Sequence, residues 1–145
     1  MLARGRMFVA DIVEGYGVIV QGSNAPTDVE WDEVLAFYQT MLAADRLRVL
    51  VYTEGAAPNA SQRGKLQDQL GKKKMIFAVI TPSAWARAVG TAVSWFVPNV
   101  AMFHPNELEK ALDHLGVAAQ TRAGIRERFD QLRGALQGLP GVAAR

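Results

Sequence analysis

The residue types best suited to chemistry in this 145-residue chain lie where a predicted strand meets a predicted helix. The apolar, β-branched run 48–53 predicts a buried strand, and the segment after Asn59 predicts a helix. Free N–H groups at the start of a helix favour anions, and α/β proteins often place sites at the carboxyl ends of strands. The candidates for a ligand- or partner-binding edge, including two residues after the next strand, are Thr53, Glu54, Asn59, Ser61, Arg63, Lys65, Thr81 and Ser83.

These residue types do not form a recognisable catalytic group. The chain has no cysteine, and neither His104 nor His114 has a carboxylate or serine partner at a recognisable spacing. The sequence contains no metal-ligand spacing, no Gly-rich phosphate loop and no nucleophile elbow. Glu54 is a single acid, whereas acid–base catalysis usually needs two groups with opposed pKa values. We therefore expect a protein that is not an enzyme and has no catalytic residue, metal or cofactor.

Composition predicts one globular domain. Half of the residues are apolar and 21% are charged, which is typical of a folded domain rather than a disordered chain. The longest apolar stretch, 84–97, includes Arg87 and is too short to span a bilayer, and no signal-peptide core follows the first six residues. With the absence of cysteine, these features lead us to expect a soluble, cytoplasmic protein without a transmembrane segment.

Charge is unevenly distributed along the chain. Residues 1–45 carry two basic and seven acidic side chains, whereas residues 46–74 carry seven basic and two acidic ones. The basic run 72–74 is interpreted as a charged turn. A nucleic-acid-binding face would be larger and interleaved with aromatic residues, so no nucleic-acid partner is expected.

Local signals predict the element order β-β-α-β-α-β-α-β-α, hence a mixed β-sheet covered by helices. A hairpin is predicted from strands 7–14 and 16–21, with Gly15 and Gly17 bracketing the turn. Further strands are predicted at 48–53, 75–80 and 100–103. Three capping boxes predict helix starts: Thr27 with Glu30, Asn59 with Gln62, and Asn106 with Glu109. An additional C-terminal helix is predicted over 121–137, a flexible tail over 138–145, and a disordered or extended N-terminus over 1–6.

The helix predicted to start at Thr81-Pro82 is apolar on nearly all sides, which is typical of a helix covered on two faces. Small residues recur every four positions and allow close helix approach. The predicted helix-packing interface consists of Ala86, Gly90, Ser94 and Trp95. Three alternatives remain for what packs on the outer face of this helix. They are the C-terminal helix through Ile125, Phe129 and Leu132, a second copy in a homodimer, and a partner protein or lipid.

Three segments, 49–55, 58–63 and 78–83, together with the element order, resemble the STAS domain of bacterial anti-sigma-factor antagonists. More closely, the chain looks like small antagonist-like proteins grouped as STAS-like, some of which are classed alongside CRAL-TRIO lipid-binding domains. The resemblance implies a STAS-like fold over 7–117 and a non-catalytic regulatory module that binds a protein partner. The family's regulatory phosphate would fall on Ser61, although Asn59 and Gln62 stand where antagonists have aspartate and glycine. A small-ligand or lipid-binding module of the same fold is the alternative.

Overall fold

The fold is a mixed sheet that is antiparallel on one side and parallel on the other. The computed structural model describes residues 3–4, 7–46, 48–71, 73, 75–84, 87–88 and 99–136. The strands are β1 (Ala3–Arg4), β2 (Phe8–Val13), β3 (Tyr16–Gln21), β4 (Arg48–Thr53), β5 (Ile76–Ile80) and β6 (Val100–Phe103), in that spatial order. The described helices are α1 (Asp28–Ala43), α2 (Ala60–Leu70), α3 (Leu108–His114) and α4 (Ala119–Leu136). Strands β1–β3 pair antiparallel and β3–β6 pair parallel. The predicted α/β class is confirmed.

The predicted hairpin is present, but its turn is shorter than the glycine pattern suggested. Glu14 and Gly15, with φ values of 48° and 90°, form a two-residue turn that suits the twist of β2 and β3. Gly17 does not bracket this turn, because it pairs with Ile12 inside the ladder. Its role is close approach instead: a Cβ at Gly17 would overlap the sulfur of the buried Met41 of α1.

One face of the sheet is covered by α1 and α2. The predicted capping box at the start of α1 is confirmed, with Thr27 and Glu30 exchanging side chain–backbone hydrogen bonds. One apolar stripe of α1 is buried and forms one core with α2 and the strands. This core includes Trp31, Val34, Leu35, Tyr38, Leu42, Leu66, Val49, Val51 and Phe77. Burial raises the pKa of the Tyr38 hydroxyl above its ordinary value.

The opposite face is covered by α3 and α4. Four apolar residues of α4 are at most 3% exposed and pack on the sheet: Ile125, Phe129, Leu132 and Leu136. Their partners include Val9, Val18 and Val20, and a salt bridge of 2.7 Å between Arg128 and Asp11 joins α4 to β2. The C-terminal helix therefore belongs to the core, where its stripe packs on the sheet. Most of the helix predicted to start at Thr81-Pro82 lies outside the described residues, so its cover stays a prediction.

The third predicted capping box was wrong. The structure places the cap at His104, whose ring accepts from the backbone N–H of Asn106, while Glu107 accepts from the backbone N–H of His104. This box starts a short 3₁₀ turn, Pro105–Glu107, and α3 follows at Leu108. Pro105 fits the first position of the turn because proline has no N–H to satisfy. Glu109 instead forms salt bridges with Arg122 and Arg126 of α4.

Some predicted features lie outside the described residues. They are the interface residues Ala86, Gly90, Ser94 and Trp95, the tail 138–145, and all of the N-terminal segment 1–6 except the paired strand β1. Within the described part of the chain, no helix is long and apolar enough to cross a membrane.

Candidate docking surface at the β4–α2 junction

Thr53, the last residue of β4, organises the loop that follows it. Its side chain is 4% exposed, and its hydroxyl donates to the carbonyl of Ala56 at 2.8 Å. The same oxygen accepts from the backbone N–H of Gly55 at 3.1 Å. Gly55 has a φ of 140°, a conformation that favours glycine. The Thr53 hydroxyl is therefore used in building the loop rather than presented to a ligand.

The loop is also fastened to the end of the neighbouring strand. The backbone N–H of Glu54 donates to the carbonyl of Gln21, and that of Ala56 donates to the carbonyl of Gly22, both at 3.1 Å. These bonds continue the parallel pairing of β3 and β4 beyond the strands. Glu54 is half-buried at this position. The first half of the loop is thus held like an extension of the sheet.

The second half of the loop ends in the predicted capping box of α2, which is confirmed. The Asn59 side chain accepts from the backbone N–H of Gln62 at 2.9 Å, and the Gln62 side chain accepts from the backbone N–H of Asn59 at 3.0 Å. Arg63 donates to the carbonyl of Pro58 at 3.0 Å. The predicted ligand residues Asn59 and Arg63 therefore fix the first turn of α2. Gly71 ends the helix, as predicted.

Gln62 has a second role that the sequence did not reveal. It is 2% exposed, and its amide N–H₂ donates to the carbonyl of Pro26 at 3.0 Å and to the Asp28 carboxylate at 3.1 Å. Its backbone carbonyl accepts from the indole N–H of Trp31 at 2.9 Å. Gln62 thus joins the start of α2 to the start of α1. Gln62 stands where the antagonists of the resembled family have glycine. In this structure its side chain links the two helices through Pro26 and Asp28.

Ser61 is exposed and differs from the hydrogen-bonded side chains of Thr53, Asn59 and Arg63. It is the second residue of α2, and its side chain makes no hydrogen bond to another described residue. The exposed residues around it are Ala57, Asn59 and Ala60, with Pro58 half-buried. We call residues 57–61 the junction surface. It is a small, projecting surface on a backbone fixed by internal hydrogen bonds.

The uneven charge of the sequence is partly neutralised across the two helices. Lys65 of α2 lies 3.4 Å from Asp32 of α1, and Lys73 lies 3.3 Å from Asp45 just after α1. Acidic residues of the first 45 positions thus meet basic residues of the next segment. Both pairs are largely exposed, so they orient the helices while stabilising them little.

Thr81 and Ser83 lie at the same edge of the sheet as Thr53. Tyr52 pairs with Ile80, so Thr53 and Thr81 each stand one residue beyond this pair. Thr81 is fully buried, and its hydroxyl accepts from the backbone N–H of Ser83 at 3.3 Å. Its carbonyl accepts from the Arg87 guanidinium at 2.9 Å. The hydroxyls of both buried threonines thus take part in local turns, and the ligand-binding role of this edge stays a prediction.

Two further features of the described residues bear on ligand binding near the junction. Within the described ranges, no group of three or more His, Asp or Glu side chains could hold a metal ion. A cavity bordered by Phe8, Glu30, Val34 and Ala56 has a volume of about 10 Å³, room for about one water molecule.

The chain matches no known protein-family model, and neither a similar curated protein nor a similar solved structure was found. The function of the junction is therefore inferred from its own geometry.

Proposed function

We propose that this chain is a non-catalytic regulatory protein-interaction module of the STAS-like type, which docks a protein partner through residues 53–65. The observation that carries the proposal is that the polar groups of this segment hold its backbone while the junction surface stays exposed. A surface fixed before binding loses less conformational entropy when a partner docks. The resemblance to antagonist domains, which bind partners through the same region, points the same way.

Ser61 is the proposed switch within this surface. A phosphate on its hydroxyl would add about −1.5 to −2 charges close to the amino end of α2. Its hydroxyl is exposed to a kinase, unlike those of Thr53 and Thr81. Phosphorylation would change the charge of the docking surface without breaking any hydrogen bond that holds the loop.

The test compares full-length wild-type protein with Ser61→Asp, Ser61→Ala and the control Gln131→Glu, which adds a negative charge at an exposed position of α4 on the opposite face of the sheet. A partner captured from native cells is expected to bind wild type, Ser61→Ala and Gln131→Glu alike, and to bind Ser61→Asp at least about tenfold more weakly or more tightly. Equal affinity for all four proteins, with no Ser61 phosphopeptide from those cells, would contradict the switch. Partner binding that is insensitive to exchanging the junction surface, for example by Ala57→Glu with Ala60→Glu, would contradict the docking site.

A further inference from the structure

The hydroxyl of Tyr52 is an unsatisfied polar group in the core. The Tyr52 side chain is 1% exposed, and its hydroxyl oxygen is buried without a hydrogen-bond partner. Buried hydroxyls are nearly always hydrogen-bonded, because leaving one unpaired costs the desolvation of the group. Tyr52 is the penultimate residue of β4, near the carboxyl end of the parallel strands, where α/β sheets place ligands. A buried hydroxyl without a hydrogen-bond partner at this position is available to an external ligand.

Arg133 stands directly over this tyrosine. Its guanidinium carbon lies 4.5 Å from the centre of the Tyr52 ring and 5.5 Å from that of Phe129. The two rings are themselves packed, with centres 5.7 Å apart. Stacking on two aromatic rings holds the guanidinium in a fixed plane.

Arg133 also differs from the other arginines of α4. Arg122 and Arg126 both pair with Glu109, and Arg128 pairs with Asp11. Among the described residues, Arg133 has no carboxylate partner and no hydrogen-bond acceptor, and it is partly exposed. Its donors are therefore available beside a hydroxyl that also lacks a partner.

We propose that Tyr52 and Arg133 form a binding site for a phosphate-type oxyanion. The guanidinium offers two parallel N–H donors, which match two oxygens of such a group, and the tyrosine hydroxyl donates to a third. The positive charge of Arg133 selects an anion over a cation. The anion approaches the partly exposed guanidinium from solvent. This site lies on the α3/α4 face of the sheet and does not depend on the proposed docking surface.

The test measures the affinity of the full chain for inorganic phosphate by calorimetry and by the thermal midpoint, against sodium chloride at equal ionic strength. The variants are Tyr52→Phe and Arg133→Gln, and the matched control is Arg126→Gln, which removes an arginine of the same helix that is paired with a carboxylate. Phosphate is expected to stabilise wild type and Arg126→Gln alike. The dissociation constant is expected to rise at least about tenfold in each of the other two variants.

Tyr52→Phe removes only the unsatisfied oxygen, so it is expected to fold with an unchanged or higher midpoint in sodium chloride, and it decides the question if Arg133→Gln fails to fold. A second arm measures cosedimentation with phosphatidic-acid vesicles, with phosphatidylcholine vesicles as blank, which distinguishes a lipid headgroup from free phosphate. Loss of phosphate or vesicle binding in both variants supports the site. The same affinity in all four proteins, or no response of wild type in either arm, overturns it.

Discussion

Tyr52 and Thr53 are consecutive residues of β4, and only one of their two hydroxyls is hydrogen-bonded. Successive side chains of a strand point to opposite faces, so Tyr52 enters the α3/α4 core and Thr53 lies on the α1/α2 side. The Thr53 hydroxyl both donates and accepts within three residues of itself. The Tyr52 hydroxyl has no partner. Both side chains are at least nine-tenths buried, so the difference is one of hydrogen bonding and not of exposure.

This contrast separates residues that build a site from residues that are left available for one. Three polar side chains at the β4–α2 junction, those of Thr53, Asn59 and Arg63, bond to nearby backbone and hold the junction in place. The residue left unsatisfied, Tyr52, lies on the other face, next to an arginine that is also unpaired. The hydroxyl that holds the loop, that of Thr53, and the hydroxyl without a partner, that of Tyr52, therefore lie on opposite faces of β4.

The capping boxes offer a second contrast between buried and exposed versions of one motif. Asn59 with Gln62 lies against the start of α1, where Gln62 is 2% exposed. His104 with Glu107 lies on the surface, where Lys110 approaches the Glu107 carboxylate to 3.2 Å. The same local geometry should therefore contribute very different amounts to stability.

The largest effect is expected from Gln62→Leu. It removes the side-chain amide that bonds Asn59, Pro26 and Asp28, and should lower the free energy of unfolding by about 2–3 kcal/mol. Urea unfolding of the variant measures this loss. The control is Gln69→Leu, an exposed position of α2 with one exposed hydrogen bond to Gln39, which should change stability by less than about 0.5 kcal/mol. Equal losses at the two positions would show that Gln62 does not join the two helices.

A smaller loss is expected from Thr53→Val. The substitution keeps the volume but leaves the carbonyl of Ala56 and the N–H of Gly55 without the hydroxyl, at a cost of about 1–2 kcal/mol. Hydrogen exchange at Gly55 and Ala56 should become faster than in wild type. Thr40→Val on the exposed face of α1 is the control, and it should have little effect. If Thr53→Val unfolds with the wild-type free energy and its Gly55 and Ala56 amides exchange as slowly as in wild type, the Thr53 hydroxyl does not stabilise the loop.

Tyr52→Phe should change the free energy of unfolding in the opposite direction to Thr53→Val when measured in phosphate-free buffer. It deletes a buried hydroxyl that has no partner, so the free energy of unfolding should stay the same or rise by up to about 1 kcal/mol. Thermal and urea unfolding measure the change. A loss of more than about 1 kcal/mol would mean that the hydroxyl has a partner in the protein itself, which breaks the comparison with Thr53.

The smallest effect is expected from Glu107→Gln, and it should depend on pH. Hydrogen bonds from the backbone N–H of His104 and from Lys110 lower the pKa of Glu107 below its ordinary value of 4.5. A carboxyl whose pKa is lowered by folding stabilises the protein above its unfolded pKa, and this contribution is lost as the pH falls through the folded value. Wild type should thus be slightly more stable than the variant near neutrality, and the difference should vanish in acid. Urea midpoints measured across this range test the sign, and a difference that grows in acid would contradict it.

Much of the fold could be predicted from the sequence because its signals are local. The turn at Gly15, the boxes at Thr27 and Asn59, and the helix end at Gly71 each depend on residues within a few positions of one another. The prediction failed at 104–109, where two overlapping boxes compete. Histidine is an uncommon cap, so the pattern favoured Asn106, whereas Pro105 makes His104 the better cap in the folded chain.

The sequence by itself determined strands β2–β6 and the starts of α1 and α2, and it marked the segment 53–65 as a candidate edge, because periodicity and capping act over one or two turns of chain. Only the tertiary structure decided which polar groups of that edge are occupied. Gln62 reaches Pro26 across 36 positions, and α4 lays Arg133 over Tyr52, 81 residues earlier in the chain. Such partners meet only when helices pack on the sheet. For that reason the chain's pattern could mark Thr53 and Ser61 as candidates, but only packing shows that the first is satisfied, the second exposed, and Tyr52 left without a partner.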